Sequence, residues 1–368
     1  MFQSQVSFTD PGRSVTLCAL KPRGAWLTRM RWSKIDREDK MSGILSSWRL
    51  KSLTSASALM LCCVSAASAQ ETKWPTHPVD IYVGFAPGGY ADTVSRIIGA
   101  ALSKKLGQPF VVQNIGGAGG NIAARQVATK PGDGYSILAT TTALAINTTL
   151  YKSKGFTPGG LIPVAIPAFA PEALTASTKS NIKSLRDLAG AAKSKKLYLA
   201  TPGIGSGSQI AQTYFFQKLV KLPITQIPFS GGGPAMQGVL TGDANLLAAT
   251  AAAQIVSAIK GNQIVGLAVA SEKRDPAIPN VPTFAEQGYP NFLASSWVGF
   301  FASPGTPHAI VVKLNKAINE IVKEPSIQKT FKHIGAQASI KSAAQTQKDF
   351  NDDVARWSTM VTKIGLSL

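Results

Sequence analysis

Cysteine is almost missing from this chain: three occur in 368 residues, Cys18, Cys62 and Cys63, all before Ala69. Beyond that point a disulfide framework, a thiolate metal site and a cysteine nucleophile are excluded. Histidine is as scarce. His77, His308 and His333 are far apart, no H-E-x-x-H occurs, and a zinc site is not expected. No Gly-Lys pair exists, which removes the Walker A phosphate loop. No glycine loop completes G-x-G-x-x-G, since Gly203 and Gly205 are followed by Ser208, and Gly117 and Gly119 by Ile122. No serine sits in G-x-S-x-G either.

Acidic residues are also few, 19 against 38 basic ones. Ten of the basic and four of the acidic residues lie in the first 69 positions, which leaves a net charge of about +13 on the remainder. Such a surplus favours anionic ligands or surfaces through its long-range field. The lysines are scattered, and no basic stripe interleaved with aromatics appears, so nucleic acid is not an expected partner. A hydrophobic content of 45% with 15% charged residues places the chain in the globular class.

The first 69 residues are of another kind. Arg49 and Lys51 precede an apolar, small-residue run from Ser57 to Ala66, and Ala67-Ser68-Ala69 supplies a cleavage site ahead of Gln70. Residues 41–69 therefore read as a secretory signal peptide beginning at Met41, and residues 1–40 as a misassigned upstream extension. The apolar run is too short and too rich in Ser and Ala to span a bilayer. Export to a bacterial periplasm is expected, and the 299 residues after Ala69 are enough to bury cores without disulfide staples.

What the chain has in quantity is strand, glycine loop and helix in succession. Ile81–Val83 breaks at Pro87-Gly88-Gly89 and hands over to a helical period starting near Asp92, ended by Gly107. Adjacent glycines let backbone N–H groups face one point, a helix N-terminus beyond them favours negative charge, and positive φ is expected at Gly89. The design recurs at Gly116–Gly120, Thr201–Ser208 and Ser230–Ala235. A strand at 135–139 ends in Thr140, Thr141 and Thr142, and further strands are expected at 197–200, 224–229, 245–250, 264–270 and 295–302. The stretch 156–173, rich in Pro and Gly, reads as a connection between domains. Two long helices close the chain. Backbone donors and small hydroxyls of this kind bind anions better than they transform them.

The segments FAPGGYAD (Phe85 to Asp92), GGAGGNIAA (Gly116 to Ala124), DGYSIL (Asp133 to Leu138), PFSGGGPAM (Pro228 to Met236) and VPTFAEQGYPNFLASSWVGFFASPGTP (Val281 to Pro307) resemble the substrate-binding receptors of tripartite tricarboxylate transporters, the Bug family. The resemblance covers nearly all of residues 74–368. It implies an α/β type II periplasmic binding protein fold, two lobes with mostly parallel sheets joined by two crossovers. Lobe 1 would be 74–173 plus 297–368, and lobe 2 would be 174–296.

It further implies a cleft in which Phe85, Pro87, Gly88, Gly89, Tyr90, Ala91 and Asp92, with Thr140, Thr141 and Thr142, hold a carboxylate. Gly205, Ser206, Gln209, Ser230, Gly231 and Gly232 would face them and set specificity. The implied function is a monomeric receptor that delivers a small organic carboxylate to a membrane permease, without cofactor, metal or catalysis. Gln209 stands where the family often has histidine, Tyr90 where a small residue is usual, Ile115-Gly116 where Arg-Pro is usual, and Gly159-Gly160 where a charged pair is usual. Two rivals are a periplasmic hydrolase using Ser206 or Ser230 with a base brought near in space, and an orphan receptor serving a sensor. Candidate ligands include di- and tricarboxylates, amino acids and aromatic acids.

Overall fold

The computed structural model describes residues 73–153, 155 and 160–368. The expected upstream extension and signal peptide lie outside the described residues.

The first repeat is built as its sequence suggests. β1 (Val79–Val83) carries the apolar run Ile81–Val83, and α1 (Tyr90–Leu106) follows the glycine loop. Asp92 in the first turn and Lys104 and Lys105 in the last turn complement the helix dipole, and Gly107 stops the helix at φ 73°. β2 (Phe110–Asn114), α2 (Asn121–Ala128), β3 (Ser136–Thr141) and α3 (Ala143–Leu150) come next. β1 pairs in parallel with both β2 and β3.

The next segment departs from expectation. Instead of an irregular connection, the chain forms β4 (Ile162–Ser177), a strand of 16 residues. Its three prolines, Pro163, Pro167 and Pro171, hide the strand from sequence inspection, because proline cannot donate to a ladder. The register with its neighbour slips around the first two, between Pro163 and Ala165 and between Ala165 and Ala168, while Pro171 stays in register opposite Ser295 at the end of that pairing.

The second series holds α4 (Leu185–Ser194), β5 (Leu197–Thr201), α5 (Gly207–Tyr214), β6 (Ile224–Pro228), α6 (Gly232–Thr241), β7 (Leu246–Thr250), α7 (Gln254–Lys260) and β8 (Ile264–Val269). β9 (Ser295–Ala302) returns to the first sheet. α8 (His308–Lys323), α9 (Pro325–His333), β10 (Gln337–Ala338) and α10 (Ala343–Ile364) complete the chain.

β4 belongs to both sheets. Its first part pairs with β9 and its last part with β7 and β8. Every antiparallel pairing involves β4 or β9, the two strands that cross between lobes, while β1–β2, β1–β3, β5–β6 and β5–β7 are parallel. This is a two-lobe α/β fold with parallel cores and antiparallel crossovers.

Each sheet is covered on both faces, and strand alternation decides which side chain goes where. In the first lobe Ile81, Ile137 and Phe300 pack toward α1 and α8, whereas Tyr82, Leu138 and Phe301 pack toward α2, α3 and α10. In the second, Leu199, Leu246 and Ala248 share one core, and Ala200, Leu247 and Ala249 the opposite one. Glu71–Leu368 forms one compact unit. Ala86 N–H donates to Ser230 O at 3.2 Å across the cleft, so the two lobes are closed on each other.

Candidate functional site

Three helix N-termini point into one cavity of about 40 Å³ between the lobes. Gly89, Tyr90 and Ala91 bring the start of α1, Ser206, Gly207 and Ser208 the start of α5, and Gly232 the start of α6. Helix N-termini leave backbone N–H groups without partners and carry partial positive charge. Thr141, Thr250 and Ser296 add hydroxyls, and no Lys, Arg, Asp, Glu or His lines the space. Phe85 and Pro202 also line an adjoining space of about 210 Å³, bordered by Gly117–Gly120 and Ser230.

The loop before α1 is held from within. Gly88 adopts φ 83°, and its N–H donates to Asp92 Oδ2 at 3.0 Å. Asp92 Oδ1 accepts from Asn114 Nδ2 at 2.9 Å and meets Arg96 at 2.9 Å, while Asn114 also donates to Phe85 O. Burial raises the Asp92 pKa, but Arg96, Gly88 and Asn114 outweigh it and hold the carboxyl below its ordinary value. Asp92 therefore shapes the cradle from behind and is not in the cavity lining. Pro87 is likewise outside it, its carbonyl turned toward α6. The expectation of positive φ at Gly89 is corrected: φ there is −83°, extended backbone open to any residue. The positive angle is at Gly88. Among the described residues the N–H groups of Tyr90 and Ala91 have no acceptor.

Of the three threonines, Thr141 lines the cavity. Thr140 is buried with its hydroxyl toward Gly84 and Gly120, and Thr142 Oγ1 lies 2.9 Å from Ser296 Oγ. On the facing lobe Ser206 caps α5, accepting from Gln209 N–H at 3.3 Å and donating to Gly203 O at 2.8 Å. Gln209 accepts from Gly205 N–H and donates to Thr213 Oγ1 and Gln226 Oε1, a network outside the cavity lining. Gly205 packs on Asn147 of α3, whose Nδ2 holds Gly119 O at 2.9 Å. Ser230 serves the interlobe bond to Ala86, and Gly231 stands against Ala86.

One group at this site escaped the sequence reading. Glu172, fully buried on β4, accepts from Ser208 Oγ at 2.5 Å through Oε2, while Oε1 has no partner. Burial pushes its pKa up to about 7, against the opposing effect of Ser208 and Thr250. The Tyr90 hydroxyl is also buried without a partner; burial first, and the Glu172 charge second, raise its pKa. The available signal was that Glu172 is the one charged residue in IPVAIPAFAPEALTAS.

The histidines stand away from the site. His77 is exposed and stacks on Tyr135 at 3.6 Å, and His308 and His333 are exposed at opposite helix ends. Among the described residues no group of three or more His, Cys, Asp or Glu could hold a metal ion.

Residues 94–366 match the model of the tripartite tricarboxylate transporter family receptor. The chain belongs to that family. It is 32% identical over 312 residues to protein BugT of Bordetella pertussis, covering 82% of this chain and 94% of that protein. The structure of the periplasmic binding protein BugD superposes with a TM-score of 0.76 at 31% identity, over 80% of this chain and 99% of BugD. MatC of Rhodopseudomonas palustris with bound malate gives 0.73 at 31% identity, over 78% and 100%. BugD is a periplasmic binding protein and MatC holds malate, and the family match makes the resemblance a family membership.

Proposed function

We propose that this family member is a monomeric periplasmic receptor that closes two lobes, 74–173 with 297–368 and 174–296, on a small organic carboxylate and delivers it to a membrane transporter. The observation that carries the reading is the convergence of α1, α5 and α6 on a single uncharged cavity. Unpaired N–H groups and hydroxyls at helix starts stabilise a carboxylate without a fixed cation. Malate in MatC, itself a dicarboxylate, supports the ligand class. A cavity of about 40 Å³ has room for about three water molecules, so an organic acid enters by the lobes parting and reclosing around it. Ligand contacts made only in the closed form then shift the open and closed populations.

The test is a thermal-shift screen of mono-, di- and tricarboxylates, amino acids and aromatic acids, followed by calorimetry. A ligand at about 100 times its Kd raises stability by about 2.7 kcal/mol. No shift from any carboxylate at millimolar concentration would overturn the ligand class. For delivery, deletion of the gene should abolish uptake of the identified acid.

A further inference from the structure

We propose that Glu172 makes this cleft selective for ligands carrying a protonated amine beside the carboxylate, as an α-amino acid does. The inference rests on the carboxylate-receptor reading above.

Glu172 sits where β4 passes from one sheet to the other, directly behind the cavity wall formed by Tyr90, Gly207, Ser208, Thr250 and Ser296. A buried carboxylate without a cation is costly, and it is either neutralised by a proton or paired. Among the described residues, none of the groups that meet it is a cation. α5 contributes the Ser208 hydroxyl, β7 contributes Thr250, the start of α3 contributes Thr142, and β9 contributes Ser296. Tyr90 of α1 is the titratable group that faces it.

Two of the unpartnered polar atoms at this point are oxygens, while Gln254 Nε2, buried without a partner in the same cavity lining, is a donor left for the ligand's carboxylate. Glu172 Oε1 and the Tyr90 hydroxyl are both buried and without partners. Ser208 and Thr250 already favour the ionised carboxylate. An ammonium group, with three donors and no acceptor, satisfies such a set, whereas a second carboxylate meets like charge.

Gly207 supplies the geometry. A Cβ on it would lie 2.8 Å from Glu172 Oε1 and 2.7 Å from Thr142 Oγ1. The positive end of α5 and the acid are thus within one residue of each other. Opposite charges on adjacent ligand atoms, the arrangement of an α-amino carboxylate, match that spacing. Ionisation of Glu172 on binding releases its proton.

The experiment is calorimetry on the ligand-free protein with paired probes, aspartate and succinate, glutamate and glutarate, alanine and propionate. Each is titrated in two buffers of different ionisation heat at pH 6, 7 and 8. With a pKa of about 7 in the empty site, the amino acid that binds should release about 0.9 proton at pH 6, about 0.5 at pH 7 and about 0.1 at pH 8. At pH 8 it should bind about tenfold or more tighter than its partner lacking the amine. Glu172→Gln, shown folded by its melting curve, should lose both the preference and the proton release. Proton uptake with tighter binding of the simple dicarboxylate overturns the inference and assigns Glu172 as a neutral donor to a ligand carboxylate. Amine preference retained in Glu172→Gln also overturns it. Carboxylate binding without amine preference leaves the receptor reading intact, whereas no binding by either class removes both.

Discussion

The Gly88 N–H donates to Asp92 Oδ2 at 3.0 Å, so the most conspicuous glycine of the cradle is tied to the helix it introduces. Asp92 adds Asn114 and Arg96 to the same knot. Asp92→Ala should lose about 2 kcal/mol of stability, the range for hydrogen bonds to a charged group. The folded carboxyl has a lowered pKa. Its contribution is present above the unfolded value and is lost as pH falls through the folded one. The difference between wild type and Asp92→Ala in urea unfolding should therefore shrink below about pH 4. A difference that does not shrink on acidification would remove the charge from this account.

Closure can be separated from folding at Gly233. A Cβ there would lie 2.4 Å from Pro87 O on the facing lobe, a backbone atom that cannot yield cheaply. Alanine is the better helix former at this position in α6, so Gly233→Ala should gain up to about 1 kcal/mol of stability in the open protein. Its affinity should fall about tenfold or more. Gly89→Val should also abolish binding. The added Cβ itself makes only ordinary contact with Gly232, 3.4 Å away, and the backbone angle at Gly89 is one that valine adopts, so the expected cause is the bulk of the two methyls beyond Cβ at a residue that lines the cavity. Small-angle scattering with and without ligand checks the claim: a Gly233→Ala protein that closes like wild type contradicts it.

Much of this architecture was legible in the residues. Ile81–Val83, the helix from Asp92 to Gly107 and the strand at 295–302 announce themselves through hydrophobic period and glycine stops, and they stand where expected. β4 did not, because three prolines at four-residue intervals mask a strand whose ladder is supplied by distant segments at 246–250, 264–269 and 295–302. α9 is only faintly marked in the residues, because its burial rests on Phe331. The glycine loops marked the cradle, but which N–H groups stay free depends on Asp92 and Ser230, partners set by tertiary contact. Glu172 lay inside the stretch read as a connection, and its meaning comes entirely from what surrounds it in space.

Tyr90→Phe isolates an unpartnered buried hydroxyl. Removing a buried polar atom that has no hydrogen bond should leave the ligand-free protein as stable as wild type or about 1 kcal/mol more so. The same change should weaken ligand binding about tenfold if the phenol becomes paired in the complex. Urea unfolding and calorimetry on one preparation test both halves. A destabilised variant would mean that the hydroxyl has a partner in the empty cleft.

The last prediction concerns stability without ligand, and its sign is opposite to that of Asp92. The Glu172 pKa is raised from 4.5 to about 7 by burial. The folded protein then holds a proton that the unfolded chain has given up between those values, and stability falls as pH rises through that window. The drop amounts to about 3 kcal/mol, is complete above about pH 8, and is absent below about pH 4. Glu172→Gln carries no titrating group and should lack this slope. In urea unfolding at pH 5 and pH 8, wild type should lose about 2.5 kcal/mol more than the variant between the two conditions. Equal losses would mean that a counter-charge reaches Glu172 in the empty protein. A saturating ligand that brings an ammonium to the site should flatten the wild-type slope as well, because the carboxylate then no longer needs its proton to stay buried.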